Sequence, residues 1–325
     1  MKKKRFQLIL LIPLLLLTFL SQAFCQGKAR ISIAPEFGFT NGKIVENVWY
    51  AEKSEDTQAV TLTATDPMSR LDWQMNNSFY YGLAFDLFIN ELFRFSFAFK
   101  NSSSHNCGIM EDYDWLNPTS WPDEPKDELT NYSIHTNYLN NFGHVDFLFG
   151  LVFFLDNNKN ISLAPNIGFE MEYISFSGIG GWRSYKSDNW KKNSFNEEKV
   201  ISYSQNYFAP LLSLEADFNY AKHFETTLTL AASWIKKLDC MDNHHLKNSD
   251  FNDRIQNAWR FAANLGTYYK INQLHKFGIK GNISYIPSAY GFTYSSKTDT
   301  SPDTSSLGGT SRLLWDYSFV YVFSF

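Results

Sequence analysis

The sequence predicts an all-β fold, an antiparallel transmembrane β-barrel of about ten strands with short periplasmic turns and long extracellular loops. Three observations carry that prediction. Aromatic residues fill 18% of the 325 positions, with 30 Phe and 18 Tyr, yet mean hydropathy is negative at −0.30, so apolar and polar residues must interleave. Apolar side chains recur at every second position through many segments, a period that only an extended chain converts into one apolar and one polar face. The connections also alternate in length: candidate turns at 90–91, 156–159, 221–223 and 272–275 are short, and those between them are long and polar.

Residues 1–25 read as a secretory signal peptide. Lys2, Lys3, Lys4 and Arg5 precede an apolar run from Phe6 to Leu20, and small and polar residues follow up to Cys25. The run is short for a membrane-spanning helix and contains Pro13. Lipidation of Cys25 is the competing reading, but Gln22-Ala23-Phe24 lacks the small-residue run expected before it. Residues 26–325 are expected to form a single barrel domain, since no later apolar stretch approaches the roughly 20 residues that a spanning helix needs. Formal charge is −4, becoming −8 once the four leader cations are removed. An acidic exported chain argues against nucleic acid as a partner. With three Cys, disulfides do not hold the fold together.

Ten segments follow, at 29–50, 69–89, 92–107, 131–155, 160–178, 199–220, 224–238, 256–270, 276–293 and 311–325, an even number as antiparallel closure requires. The plainest places Phe93, Phe95, Phe97 and Phe99 against Arg94, Ser96, Ala98 and Lys100; residues 161–173 repeat the pattern from Ile161 to Tyr173. A secreted β-sandwich would alternate too. The last segment, with Leu313, Trp315, Tyr317, Phe319, Tyr321, Phe323 and Phe325, instead resembles the closing strand of outer-membrane barrels. Pro165 and Pro210 each delete a ladder donor, so bulges or strand ends are expected there. Inward positions include Arg94, Lys100, Glu170, Glu172, Glu215, Asp217, Arg260, Lys280 and Asp316; both signs are present, which predicts a lumen filled by paired charges rather than an open pore.

Two polar pairs carry the chemistry. Asp112 and Asp114 follow the third segment and Asp242 and His244 follow the seventh, so both are expected on the extracellular rim. Even-numbered Asp112 and Asp114 project inward if the third strand continues. In the seventh strand the even residues from Phe224 to Trp234 form the lipid face, so Asp242 faces inward only if a residue is bulged between Asp239 and Asp242. Two carboxylates facing an Asp/His pair form a minimal kit for activating water: a neighbouring carboxylate raises the basicity of the imidazole, and paired carboxylates share a proton.

The residues around these pairs resemble the omptin family of outer-membrane endoproteases. The likeness lies in residues 110–131, in Gly42-Lys43-Ile44-Val45-Glu46, in Leu71-Asp72-Trp73 with Asn76-Asn77, and in Gly180-Gly181 leading to Tyr203-Ser204-Gln205. The resemblance implies an aspartate/histidine-type endopeptidase that cuts polypeptides after Arg or Lys in an extracellular cleft. Asp242 would orient His244, His244 would take a proton from water, and Asp112 and Asp114 would hold that water from the opposite wall. It further implies Glu46 and Asp239 as the pocket for the residue before the cut, and Asp123 near the pocket after it. No metal or other cofactor is implied. Lipopolysaccharide dependence stays open, because Tyr173 and Asn206 stand where the family carries basic residues for lipid phosphates. Between Asp239 and Asp242 the chain carries Cys240 and Met241, one residue more than the family pattern.

Other readings of the same residues remain. Asp239, Asp242, His244 and His245 are ordinary metal ligands in type. Cys107 and Cys240 both lie beside the expected site, and a disulfide across the cleft in an oxidising compartment would need a close approach of the two walls. Lys186, Lys191 and Lys192 read as a solvated loop face or a contact to outer-membrane lipid. The alternative to an enzyme is a non-catalytic barrel acting as an adhesin or ligand-binding protein. A lipid hydrolase would need a Ser held by His at the lipid boundary, and no such arrangement is legible.

Overall fold

A computed structural model describes residues 29–54, 59–62, 66–116, 128–295, 302–303 and 306–325. The expected leader lies outside the described residues. The strands are β1 (Ala29–Lys53), β2 (Val60–Leu62), β3 (Ser69–Ile89), β4 (Phe93–Ser102), β5 (His105–Asp114), β6 (Asn131–Leu151), β7 (Phe153–Phe154), β8 (Ile161–Tyr185), β9 (Lys192–Ser194), β10 (Lys199–Ala221), β11 (Phe224–His244), β12 (Ser249–Lys270), β13 (His275–Ser295) and β14 (Ser306–Ser324). Among the described residues a single 3-10 turn spans Lys186–Asp188. All pairings are antiparallel, and β1 bonds to both β3 and β14, which closes the ring. β4 and β5 are two parts of one wall, as are β6 and β7, while β2 and β9 only extend hairpins beyond the ring. The described strands therefore make ten walls.

The lipid face follows from the alternation. Leu212, Leu228, Leu230, Leu265, Ile279 and Ile283 are exposed on the outside, and exposed aromatics flank them. Trp234, Trp259, Tyr285, Trp315 and Tyr173 lie towards one end, and Tyr220, Phe224, Tyr269, Tyr321 and Phe323 towards the other, the two girdles of a membrane barrel. The short turns fall at the latter end as expected. Asn90 and Glu91 both take positive φ, 54° and 58°, the geometry that matches strand twist in a two-residue hairpin. The side chains of Asp156 and Asn272 accept backbone N–H groups of Ile161 and of Leu274 and His275. Both prolines sit at irregularities. Pro165 faces the break between β6 and β7, and Pro210 lies where the β10–β11 register shifts between Tyr207 and Leu211.

The lumen holds charge pairs. Arg94 binds Asp86 at 2.8 Å and also Glu215; Lys280 binds Glu36 at 2.7 Å; Arg260 binds Glu170 at 2.7 Å. Arg312 binds Glu172, and Lys100 lies 3.3 Å from Asp316. Above them an apolar layer crosses the barrel, with Trp73 stacked on Tyr203 (5.7 Å, 13°) and Phe176 (5.8 Å, 23°) among Ile44, Met110, Leu139, Ile235 and Leu238. The expectation of long loops needs refinement. Much of the sequence read as loop is strand: β11 and β12 run to His244 and from Ser249, joined by a tight turn. The walls thus rise well past the outer aromatic girdle and enclose a mouth floored by the apolar layer.

Candidate active site

β5 and β11 form opposite walls of this mouth. In the β4–β5 wall, Ser102 and Cys107 are both buried inward, so the face reverses once between the two strands. Gly108, at φ 133°, carries the register shift that reverses it again before Met110. The two reversals cancel, and Asp112 and Asp114 face the mouth. In β11, Ser233 and Ile235 face inward, then Leu238, Cys240 and Asp242, with Lys236 and Lys237 both exposed between them. The reversal expected between Asp239 and Asp242 therefore lies nearer the membrane, at Lys236–Lys237. Two adjacent lysines put both ammonium groups into water only where the alternation breaks.

This relocation moves one expected residue. From Leu238 onward the alternation is regular, so Asp239 faces the outside of the barrel, where its carboxylate takes a hydrogen bond from Lys237 at 2.8 Å. The inward side chain at that level is the fully buried Cys240. Asp239 does not join the pocket. Asp123 lies outside the described residues.

Asp242 and His244, two apart on one strand face, meet: His244 Nε2 is 2.6 Å from Asp242 Oδ2, leaving Nδ1 as the nitrogen that can take a proton. Phe251 packs edge-on against the imidazole at 5.7 Å. Burial lowers the affinity of His244 for a proton, but the charge and hydrogen bond of Asp242 outweigh it, with help from Asp112, and the imidazole pKa is raised. On the opposite wall, burial and the neighbouring Asp114 hold the Asp112 carboxyl well above the usual range, against the pull of His244 and Lys247. Asn131 donates to Asp114 Oδ2 at 3.1 Å. Across the mouth, Asp112 lies within electrostatic range of both members of the Asp242/His244 pair.

Two neighbours were not anticipated from the sequence. Ser133 on β6 places Oγ 3.5 Å from Asp112 Oδ2 and 2.9 Å from His135 Nε2, and His135 Nδ1 meets the Gly180 carbonyl at 2.6 Å. The cue was the Ser133-Ile134-His135 spacing directly across from Asp112, invisible without the β5–β6 register. The second is Asp253 on β12, the register partner of Cys240, buried inward and bonded to Thr293.

Glu46 is 3% exposed on the inner face of β1. Burial pushes its carboxyl well up, and Asp242, Asp253 and Asp112 push it further. Among the described residues no group of three or more His, Cys, Asp and Glu side chains could hold a metal ion. Asp239 faces outward, and His245 bonds Ser202 Oγ at 2.9 Å, so neither converges with Asp242 and His244. Cys107 and Cys240 are separate buried thiols, with Cys107 donating to the Gln74 carbonyl. Lys186 pairs with Glu128 at 2.8 Å and Lys192 lies over the Trp182 ring at 4.0 Å. Tyr173 and Asn206 are register partners, both exposed on the outer wall.

Comparison with known proteins adds three findings. The model of the omptin family matches residues 28–319. The plasminogen activator of Yersinia pestis is 22% identical over 284 residues, 86% of this chain and 83% of that one. The crystal structure of the outer membrane protease OmpT from Escherichia coli superposes with a TM-score of 0.76 at 20% identity, covering 91% of this chain and 97% of that one.

Proposed function

Since the chain belongs to the omptin family of the outer membrane, we propose that it is an outer-membrane endopeptidase that cleaves after Arg or Lys by direct attack of water. The observation that carries this reading is the Asp242–His244 contact at 2.6 Å on one wall, electrostatically linked to Asp112 on the other. A polypeptide lies across the mouth with its scissile carbonyl between the walls. His244 Nδ1 removes a proton from a water held by Asp112 and Asp114, the hydroxide oxygen adds to the carbonyl carbon, and the imidazolium returns its proton to the departing amine. Asp242 stabilises the imidazolium and fixes the tautomer. Burial and Asp114 raise the affinity of the Asp112 carboxyl for a proton, and in its protonated form it donates to the attacking water or to the developing oxyanion. The Ser133–His135–Gly180 chain of hydrogen bonds braces the Asp112 wall.

Polypeptides are thus the partners, and the acidic mouth selects cationic ones through charge complementarity. Asp242→Asn and His244→Ala are expected to leave a heat-modifiable barrel and to lower cleavage of an Arg-containing peptide by roughly 10²- to 10⁴-fold. Digestion of a peptide library by refolded protein, with and without lipopolysaccharide, measures activity, sequence preference and lipid dependence together. Full activity in either variant would overturn the mechanism, and no cleavage by the parent under either condition would favour a binding barrel.

A further inference from the structure

With Asp239 on the outer wall and Cys240 in the inward position beside it, the strand carrying the catalytic pair offers no second carboxylate to Glu46. One reaches the same place from the next strand. Asp253 is 4% exposed, Thr293 Oγ1 on β13 donates to its Oδ1 at 2.7 Å, and its carboxyl occupies the space that a Cβ at Gly308 on β14 would take. Gly308 pairs with Val48 on β1, and Thr310, two residues on, pairs with Glu46. A side chain rooted on β12 therefore crosses β13 and ends beside the wall that carries Glu46, an approach that only a glycine at 308 leaves open.

The two carboxyl groups lack a counter-charge. Among the described residues neither makes an ion pair, and Glu46 Oε2 is buried without a hydrogen-bond partner. Below them lie the apolar rings of Trp73 and Tyr203 and the Cys240 thiol. Buried carboxylates without a cation are costly; a socket of this kind is completed by a cationic side chain with an apolar stem, which the rings accommodate and the two acids terminate.

We propose that Glu46 and Asp253 together form the socket for the Arg or Lys preceding the cut, Asp253 being the specificity-determining carboxylate where the sequence pattern points to Asp239. This assignment rests on the endopeptidase reading above. A guanidinium entering the socket meets acids from two sides, Glu46 from β1 and Asp253 from above β14.

The test uses refolded full-length protein and paired quenched peptides that differ only in Arg or Leu before the cut. Asp253→Asn is expected to lower the Arg-to-Leu ratio of kcat/KM on the order of 10- to 100-fold, while Asp239→Asn, which removes an exposed partner of Lys237, changes it by about threefold or less. Gly308→Ala, which puts a Cβ into the space of the Asp253 carboxyl, should lower the same ratio with Asp253 intact and guards against a folding defect in Asp253→Asn. Heat-modifiability of each variant reports the barrel. If the parent cuts with an Arg preference that both Asp253→Asn and Gly308→Ala retain and Asp239→Asn loses, the socket assignment is overturned and the endopeptidase reading survives. If the parent cuts neither peptide and no member of a library, the endopeptidase reading falls and the socket falls with it.

Discussion

At the scale of single residues the mouth is built from acids that the fold holds against their solvation preference. Asp253 is the clearest case: burial, reinforced by Asp242 and opposed by the Thr293 hydrogen bond, raises its carboxyl from 3.8 to about 7. A carboxyl with a raised folded-state pKa favours the folded state below its unfolded value, and that contribution is lost as pH rises through the folded value. The window runs from about pH 4 to about pH 7. Asp253→Asn is therefore expected to stabilise the barrel at pH 8.5, by on the order of 4 kcal/mol at most, and to leave stability nearly unchanged at pH 4. Urea midpoints at the two pH values check it; equal effects at both would remove the buried acid from the account. The substitution that diminishes selectivity is then the one that increases stability, a trade-off common at functional sites.

At the scale of elements, a belt of irregularities lies just beyond the outer aromatic girdle. Register shifts occur at Thr40/Gly42, Asn106/Gly108, Leu139/Asn141 and Ile286/Ala289, and Asn77 and Asn257 take positive φ of 46° and 59°. Several coincide with adjacent exposed polar pairs, Asn76-Asn77, Asn140-Asn141, Lys236-Lys237 and Gln256-Asn257. Each reverses which parity faces inward in the strand that carries the extra residue, so in β11 the same even positions that meet lipid below the belt wall the mouth above it. Deleting Lys236 should return Asp242 and His244 to the outer face. The expected product is a heat-modifiable barrel with peptide cleavage reduced to background, and retained activity would show that the bulge does not aim the pair. The parity break in the seventh strand is expected because Asp242 must face inward for the chemistry, and the doublet Lys236-Lys237 marks its place better than the carboxylates that it serves.

At the scale of the whole molecule, the lumenal ion pairs couple walls far apart in sequence, Arg312 with Glu172 and Arg94 with Glu215. Arg312 is fully buried, and its Nε and Nη2 have no hydrogen-bond partner among the described residues, so Glu172 is its main compensation. Removing one member of such a pair leaves a buried charge and costs about 3–5 kcal/mol. Glu172→Gln should accordingly lower the temperature of heat modification, whereas Glu91→Gln, which breaks an exposed pair with Lys159 in a turn, should cost no more than about 1 kcal/mol. Comparable shifts for both would mean that the lumenal network does not join the walls.

The all-β class, the ten walls, the end that carries the short turns, the lumenal charges and the family likeness were all fixed by local pattern. Alternation, turn chemistry and a motif are properties of neighbouring residues, and lipid on one side enforces the period. The aim of individual side chains above the membrane was decided only in three dimensions. There water lies outside and a filled mouth inside, so polarity no longer tells the faces apart, and one bulge moves every later residue to the other face. That is why Asp239 and Cys240 exchange places relative to the motif, why Ser133 meets Asp112, and why the Asp253 carboxyl fills the space left by Gly308.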